Sequence, residues 1–157
     1  MLLRFATPDD ADTLHRLIVD LAVYEKEPDA VEVTPSELRS QLEQSSPPFQ
    51  CLIGEVDGQP VAFALFFHNY STWRGRPGLY LEDLYVVPEH RGKGFGKQLL
   101  VRLGSIAVER GCARMEWAVL TWNTPAIDFY KSLGAQCVSG WNIYRIDPKT
   151  LAESASN

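Results

Sequence analysis

The stretch PEHRGKGFGKQLL, from Pro88 to Leu100, is the most informative part of this chain. Gly92, Gly94 and Gly96 fall within five positions, and the residues after them turn apolar at helical spacing. Glycine destabilises the interior of helices and strands, so this density indicates that backbone amides are needed here more than side chains. The preceding run, GLYLEDLYVVP, is typical of a strand that ends at its proline. We therefore predict a strand, a glycine loop and a helix whose N-terminus favours an anion.

Two familiar phosphate loops do not fit this spacing. A Walker loop requires a glycine five residues before the glycine of its Gly-Lys pair, and Arg91 stands there instead. It also requires Ser or Thr where this chain has Gln98. A dinucleotide fingerprint requires a third glycine at the position of Lys97. What remains is a loop with positive side chains at Arg91, Lys93 and Lys97, and a pyrophosphate is the ligand that suits it best. The alternative is a glycine turn with solvated lysines.

Composition limits the classes of protein that fit. The chain has 157 residues, 45% of them hydrophobic and 22% charged, which is ordinary for one globular domain spanning residues 1–157. The net charge of -5 argues against a nucleic-acid binder and suits a cationic small molecule. Three widely spaced cysteines suggest reduced thiols in a cytoplasmic protein. The histidines and cysteines show no ligand spacing, and no apolar run is long enough for a membrane span, so neither a metal nor a membrane is expected.

Helix and strand signals alternate along the chain. Three helices are predicted at Thr-Pro pairs, because threonine caps first-turn amides and proline at the first helical position loses no hydrogen bond. A fourth helix begins in the glycine loop, and the tail from 150 to 157 is expected to fray. The order β-α-α-β-β-β-α-β-α-β-β predicts a mixed α/β sheet, parallel where a helix connects successive strands. The pairs are Thr7-Pro8, Thr34-Pro35 and Thr124-Pro125, and the last two predicted strands are AQCV and WNIYRID.

The glycine loop resembles one found in a known enzyme family. The pattern R-x-x-G-x-G, here Arg91, Gly94 and Gly96 between a strand and a helix, is similar to the coenzyme A loop of the GCN5-related N-acetyltransferases. The segments LYLEDLYVVPEHRGKGFGKQLL and WNTPAIDFYKSLGA resemble the diamine (spermidine/spermine) acetyltransferase branch, as do LAVYEKE and WNIYRID. The likeness is spread over most of the chain.

The resemblance implies a fold and a cofactor. The expected fold is a single, strongly bent mixed sheet of about six to seven strands with about four helices, in which the fourth and fifth strands splay apart. Acetyl-CoA is the implied co-substrate, with its pantetheine arm in that gap. The residues implied in cofactor binding are the backbone of Leu84, Tyr85 and Val86, the loop Arg91, Gly92, Lys93, Gly94, Phe95, Gly96 and Lys97, and the segment Asn123, Thr124, Pro125 and Ala126.

Acetyl transfer to an amine sets chemical requirements that candidate residues can meet. The amine must lose a proton, although a free alkylammonium has a pKa near ~10.4. The leaving thiolate needs a proton donor, and Tyr130, seven residues after Asn123 on a predicted helix, is the candidate that the resemblance favours. Adjacent strand residues face opposite sides, so only one of Glu82 and Asp83 is expected to face the gap. The resemblance favours Glu82 as the residue that draws off the proton through water, with Asp83 the runner-up.

The expected acceptor is a small cationic molecule with a primary amine. Tyr24 and Glu25 match the branch's acceptor contact, where an aromatic face and a carboxylate suit an ammonium, together with Glu82 and Asp83. The branch includes enzymes for polyamines and for thialysine-like amines, and it implies a homodimer. Two alternatives stay open: an acetyltransferase for another acceptor, such as protein lysine or an amino acid, and a non-catalytic coenzyme A sensor.

Overall fold

The computed structural model describes residues 1–155, and the chain divides into two compact units. The first runs from Met1 to Ala118 and the second begins at Val119. Each unit is described by itself below. Among residues 1–155, no helix is long and apolar enough to cross a membrane.

The first unit is built on one five-stranded sheet in the order β1-β2-β3-β4-β5. The first four strands pair antiparallel, and β4 pairs parallel with β5 because helix α3 connects the two, as the element order predicted. The β4–β5 pairing covers Leu79–Leu81 against Met115–Trp117 only. The strands are β1 (Leu2–Phe5), β2 (Gln50–Val56), β3 (Gln59–Ser71), β4 (Arg76–Val86) and β5 (Met115–Trp117).

A β-bulge interrupts the pairing of β3 with β4. Leu65 lies opposite Asp83, whereas the next residue, Phe66, lies opposite Leu81. Glu82 therefore stands opposite no β3 residue in this register. A bulge bends the strand and redirects side chains, and such features are common beside active sites. The two carboxylates of β4 consequently lie at a kink, and the simple alternation of faces expected for adjacent strand residues does not hold there.

Residues 1–155 contain five α-helices, three in the first unit and two in the second, and their ends follow the capping signals only in part. Thr34 caps α2, where Glu37 completes the predicted capping box. Thr7 instead precedes a single turn of 3-10 helix, Pro8–Asp10, before α1 begins. The cap of α4 is Asn123 and not the predicted Thr124, because the Asn123 side chain accepts from the Ala126 amide. The helices are α1 (Ala11–Tyr24), α2 (Pro35–Leu42), α3 (Phe95–Glu109), α4 (Thr124–Ser132) and α5 (Pro148–Ala155).

The core of the first unit places α1 and α3 against the sheet. Leu14 and Leu17 of α1 are fully buried and share one cluster with Phe63, Leu65 and Tyr85. Helix α3 packs on β2, β3 and β4 through its own buried stripe, as the helical spacing predicted. The stripe consists of Leu99, Leu100, Leu103, Ile106 and Ala107. Both helices are therefore held by apolar burial on one side, and their ends near β4 are free to carry polar groups.

The predicted end of the chain was partly wrong. AQCV and WNIYRID are not strands, so the sheet has five strands where about six to seven were expected. Apolar alternation forms a strand only when a neighbour pairs with it and buries one face. In the described chain Trp141 and Ile143 stay 74% and 81% exposed. Residues 150–155, where a frayed tail is predicted, belong to α5, and the Asp147 carboxylate accepts from the Thr150 amide in its first turn; residues 156 and 157 lie outside the described residues.

Candidate active site

The glycine loop has the geometry of an anion cradle. Gly92 and Gly94 adopt φ values of 72° and 78°, in the left-handed region that side chains disfavour. A Cβ added at either position would meet nothing within 4 Å, so the backbone there borders open space. Gly94 caps α3, whose first amides have no intrahelical acceptor. These amides and the helix dipole suit a phosphate group, so the loop fits the pyrophosphate of acetyl-CoA.

Three exposed cations surround this cradle. Arg91, Lys93 and Lys97 are all solvent-accessible in the described loop. Arg91 is held most closely, because its Nε donates to the Val86 carbonyl over 2.8 Å. The guanidinium has further N–H donors that suit phosphate oxygens. Positive charge and backbone amides thus lie on one short segment.

The open edge of β4 leads directly into the loop. The Val87 amide donates to the Val61 carbonyl over 2.9 Å, and antiparallel pairs alternate between bonded and non-bonded positions. The N–H and C=O of Leu84 and Val86 therefore point away from β3, whereas those of Tyr85 point toward it. Because β5 pairs only as far as Leu81, these outward groups lie beyond its pairing. This register favours Leu84 and Val86 over Tyr85 for main-chain bonds to a pantetheine arm.

Two neighbouring carboxylates act on Asp83 at the bulge. Burial first, and then the charges of Glu82 and Glu25, together raise the pKa of Asp83 to about 6. Burial also raises the pKa of Glu25, which directly follows α1. Asp83 and Glu25 are half-buried, and Glu82 is exposed. The structure thus brings together all three acidic residues that the sequence singled out, although they come from two distant segments. We call this set the acidic cluster.

Tyr24 is engaged by an arginine. The Arg91 Cζ atom lies 4.4 Å from the centre of the Tyr24 ring and 5.3 Å from that of Tyr85. Tyr85 in turn contacts Phe63, with ring centres 6.5 Å apart. The predicted contact of Tyr24 with an acceptor ammonium therefore has a competitor, because a guanidinium already lies over that ring.

In the second unit, the site residues predicted from sequence lie at the start and on the body of α4. Asn123 is buried, and its Oδ1 accepts from the Ala126 amide over 3.3 Å. Thr124 and Pro125 form the exposed first turn. Tyr130 is half-buried near the end of the helix, with its ring centre 5.3 Å from that of Phe129. Asn123 and Tyr130, seven residues apart, are separated by nearly two helical turns.

Two features of the site could not be predicted from the sequence. The bulge at Glu82 depends on how β3 aligns with β4, and no residue type in LYLEDLYVV marks it. The contact between Arg91 and Tyr24 joins residues 67 positions apart, so only the fold reveals it. Within residues 1–155 no group of His, Cys, Asp and Glu side chains is arranged to hold a metal ion.

The chain is similar in sequence to known acetyltransferases. The acetyltransferase (GNAT) family profile matches residues 13–135. Thialysine N-epsilon-acetyltransferase of Bos taurus is 37% identical over 166 residues, which cover 99% of this chain and 97% of that protein. Spermidine/spermine N(1)-acetyltransferase-like protein 1 of Homo sapiens is 36% identical over 98% of this chain and 23% of its own length.

Solved structures share the fold. An integron cassette protein from the mobile metagenome of V. cholerae superposes with a TM-score of 0.83, over 99% of this chain and 98% of its own, at 23% identity. An aminoglycoside acetyltransferase from a soil metagenome superposes with a TM-score of 0.77 at 18% identity, over 93% of this chain and 96% of its own. The family profile and the full-length relatives show that the chain belongs to the GNAT acetyltransferase family and is an N-acetyltransferase.

Proposed function

We propose that this enzyme transfers the acetyl group of acetyl-CoA directly, in a ternary complex, to a primary amine of a small cationic acceptor. The observation that carries the proposal is the acidic cluster of Glu25, Glu82 and Asp83. Burial and neighbouring negative charge raise the pKa of Asp83 to about 6, which indicates carboxylates held close together. A bound ammonium would compensate their negative charge.

The glycine loop and the open edge of β4 are the proposed cofactor site. Acetyl-CoA supplies an acetyl group activated as a thioester. The amides of residues 92–97, with Arg91, Lys93 and Lys97, hold the pyrophosphate. The outward main-chain groups of Leu84 and the outward N–H of Val86 bind the pantetheine arm as a neighbouring strand would, while the Val86 carbonyl accepts from Arg91. Asn123 to Ala126 are proposed to flank the same arm.

Glu82 is proposed to remove the ammonium proton through a water molecule. It is exposed and lies in the bulge, so water can reach its carboxylate. Asp83 and Glu25 then hold the positive charges of the acceptor. If Glu82 takes the proton, Glu82→Gln lowers kcat and moves the pH–rate profile to higher pH. If it only holds charge, Glu82→Gln raises KM for a diamine more than for a monoamine.

Tyr130 is proposed to protonate the leaving thiolate. A tyrosine hydroxyl carries a proton that it can donate to sulfur. Tyr130 lies on α4, whose cap, Asn123, belongs to the segment proposed to flank the cofactor. The roles of Tyr130 and Glu82 complement each other, since one supplies a proton and the other removes one.

The relatives support an aliphatic amine on a short, charged chain. They include acetyltransferases for thialysine and, in Arabidopsis thaliana, an L-ornithine N5-acetyltransferase that is 30% identical to this chain. Both acceptors carry a side-chain amine beside other charged groups. We therefore propose a polyamine, a diamine or a thialysine-like amine, with other amino acids as the second candidate.

A coenzyme A release assay over an amine panel tests the proposal. The panel comprises polyamines, diamines, thialysine, ornithine, a lysine peptide and an aromatic amine, each at several concentrations with fixed acetyl-CoA. We expect the highest kcat/KM for a small amine with a second positive charge. A preference for the aromatic amine or for an anionic metabolite would refute a cationic acceptor but leave the fold and the cofactor site intact.

We also propose that the enzyme is a cytoplasmic homodimer. The resemblance to the diamine acetyltransferase branch motivates the dimer, and the free thiols of Cys51, Cys112 and Cys137 suit a reducing compartment. Light scattering after size-exclusion chromatography measures the mass in solution. A mass equal to one chain at micromolar concentration would contradict the dimer.

A further inference from the structure

We propose that Tyr24 is a positioning residue for the cofactor loop, acting through Arg91, and that it thereby couples acetyl-CoA binding to the acceptor side of the site. The inference rests on the proposed function, because it assumes that Arg91 contacts the pyrophosphate. It assigns Tyr24 a role other than direct contact with the acceptor. We call Tyr24, Arg91 and Tyr85 the guanidinium clamp.

The clamp holds Arg91 from several sides. The Arg91 Cζ atom lies 4.4 Å from the Tyr24 ring centre and 5.3 Å from the Tyr85 ring centre. The Nε atom donates to the Val86 carbonyl over 2.8 Å. Arginine stacks on aromatic faces more readily than lysine and uses its planar fork to bind phosphate. A long side chain at an exposed loop is thus fixed before any ligand arrives.

The three residues come from three parts of the first unit. Tyr24 is the last residue of α1, Tyr85 lies near the end of β4, and Arg91 opens the glycine loop. Tyr24 packs against the buried cluster that contains Tyr85, so both rings are anchored to the core. Glu25 of the acidic cluster is the next residue after Tyr24. The clamp therefore links Glu25, which follows α1, to the anion cradle.

Fixing Arg91 in advance lowers the entropy cost of binding. Ordering a side chain of this length costs about 0.5–1.5 kcal/mol, which corresponds to about twofold to tenfold in a dissociation constant. If the Tyr24 ring is removed, part of this cost is paid when acetyl-CoA binds. We expect the Kd for acetyl-CoA to rise about threefold to tenfold. A residue that touched only the acceptor would leave that Kd unchanged.

Isothermal titration of acetyl-CoA into the full chain without acceptor tests the clamp. Tyr24→Phe keeps the aromatic face and removes the hydroxyl, so its Kd should stay within twofold of wild type. Tyr24→Leu removes the ring while keeping an apolar side chain, and it should show the threefold to tenfold loss. Tyr24→Met also removes the ring, so the test can be made with whichever of the Leu and Met variants folds. An unchanged Kd in the aliphatic variant, or an equal loss in Tyr24→Phe, overturns the proposal.

A double-mutant cycle with Arg91→Lys identifies the route. In the Arg91→Lys background, Tyr24→Leu should alter the Kd for acetyl-CoA by less than twofold, because the planar guanidinium that stacks on the Tyr24 ring is already lost. A full threefold to tenfold effect in that background would show that Tyr24 acts independently of Arg91, and it would overturn the inference. The proposed function survives either result as long as the wild-type enzyme binds acetyl-CoA and acetylates an amine.

Limited trypsin digestion gives a second readout that needs no ligand. Trypsin must take the arginine side chain into its own pocket, so a clamped Arg91 should be cut slowly at the Arg91–Gly92 bond. Initial rates are measured by mass spectrometry, with the Lys93–Gly94 bond in the same exposed loop as the internal control. We expect Tyr24→Leu to speed cleavage after Arg91 relative to Lys93, and Tyr24→Phe to leave the ratio unchanged. An unchanged ratio in both variants contradicts the clamp.

Discussion

Replacing Asp83 with asparagine should make the enzyme more stable at neutral pH. The half-buried carboxyl has a pKa of about 6 in the folded protein, raised first by burial and then by the charges of Glu82 and Glu25, against an ordinary value of 3.8. Between these values the native protein binds more protons at Asp83 than the unfolded chain does. Stability therefore falls as pH rises from about 4 to about 6, and the loss persists above that range.

The size of this effect follows from the same two values. Each pKa unit corresponds to about 1.36 kcal/mol, so the difference between 3.8 and about 6 corresponds to about 3 kcal/mol at neutral pH. Asp83→Asn keeps the shape of the side chain and removes the charge. We expect the variant to match wild type near pH 4 and to exceed it by about 3 kcal/mol at pH 7.5, while its affinity for a cationic acceptor falls.

Urea denaturation at the two pH values measures the difference. Asp29→Asn is the matched control, because it removes an exposed loop carboxylate and should change stability little at either pH. A variant that is no more stable than wild type at pH 7.5 would show that Asp83 is already compensated in the free enzyme. The proposal that the acidic cluster binds a cationic acceptor would then fail.

Three further outcomes follow from the site and from the ion pairs of the first unit. Gly94→Asp should raise the Kd for acetyl-CoA at least about tenfold in a titration. Gly94→Asn is the control, because asparagine also tolerates positive φ, and it should raise the Kd less. Equal increases of the Kd in the two variants would exclude a charge effect. Tyr130→Phe should lower kcat by about 100-fold with the acetyl-CoA Kd nearly unchanged, and an unaltered kcat across pH removes this phenol from the mechanism. Asp10 accepts from Arg4 over 2.7 and 2.8 Å, which lowers its pKa to about 2. The stability this gives is present above about pH 4 and is lost as pH falls toward 2. Asp10→Asn should therefore cost about 1–2 kcal/mol at pH 7 by urea denaturation, a figure reduced because Arg4 is partly exposed, and nothing near pH 2.

The glycine loop could be predicted because its signals are local. Gly94 at the helix cap and the apolar stripe of α3 reflect backbone freedom and helical period, which neighbouring residues determine. The same holds for the capping box at Thr34. The family resemblance added which ligand such a loop would hold.

The rest of the site depends on contacts between distant segments. The bulge that sets Glu82 apart arises from the alignment of β3 with β4, and the clamp on Arg91 requires the end of α1 to reach the loop. The last two strands were mispredicted for a related reason, since an alternating pattern such as that around Ile143 does not specify a pairing partner. Local propensity indicates what a segment can form, and pairing determines what it does form.

The central claim, that the acidic cluster selects a cationic acceptor, is tested most directly with two amines that differ by one charge. The measurement is kcat/KM for an aliphatic diamine and for the monoamine of the same chain length, in wild type and in Asp83→Asn at pH 7.5. We expect wild type to favour the diamine at least about tenfold, since a partly buried carboxylate attracts a second ammonium by about 1.4 kcal/mol or more. The variant should lose most of that preference. Equal kcat/KM values for the two amines in wild type, or a preference unchanged in Asp83→Asn, would contradict the account.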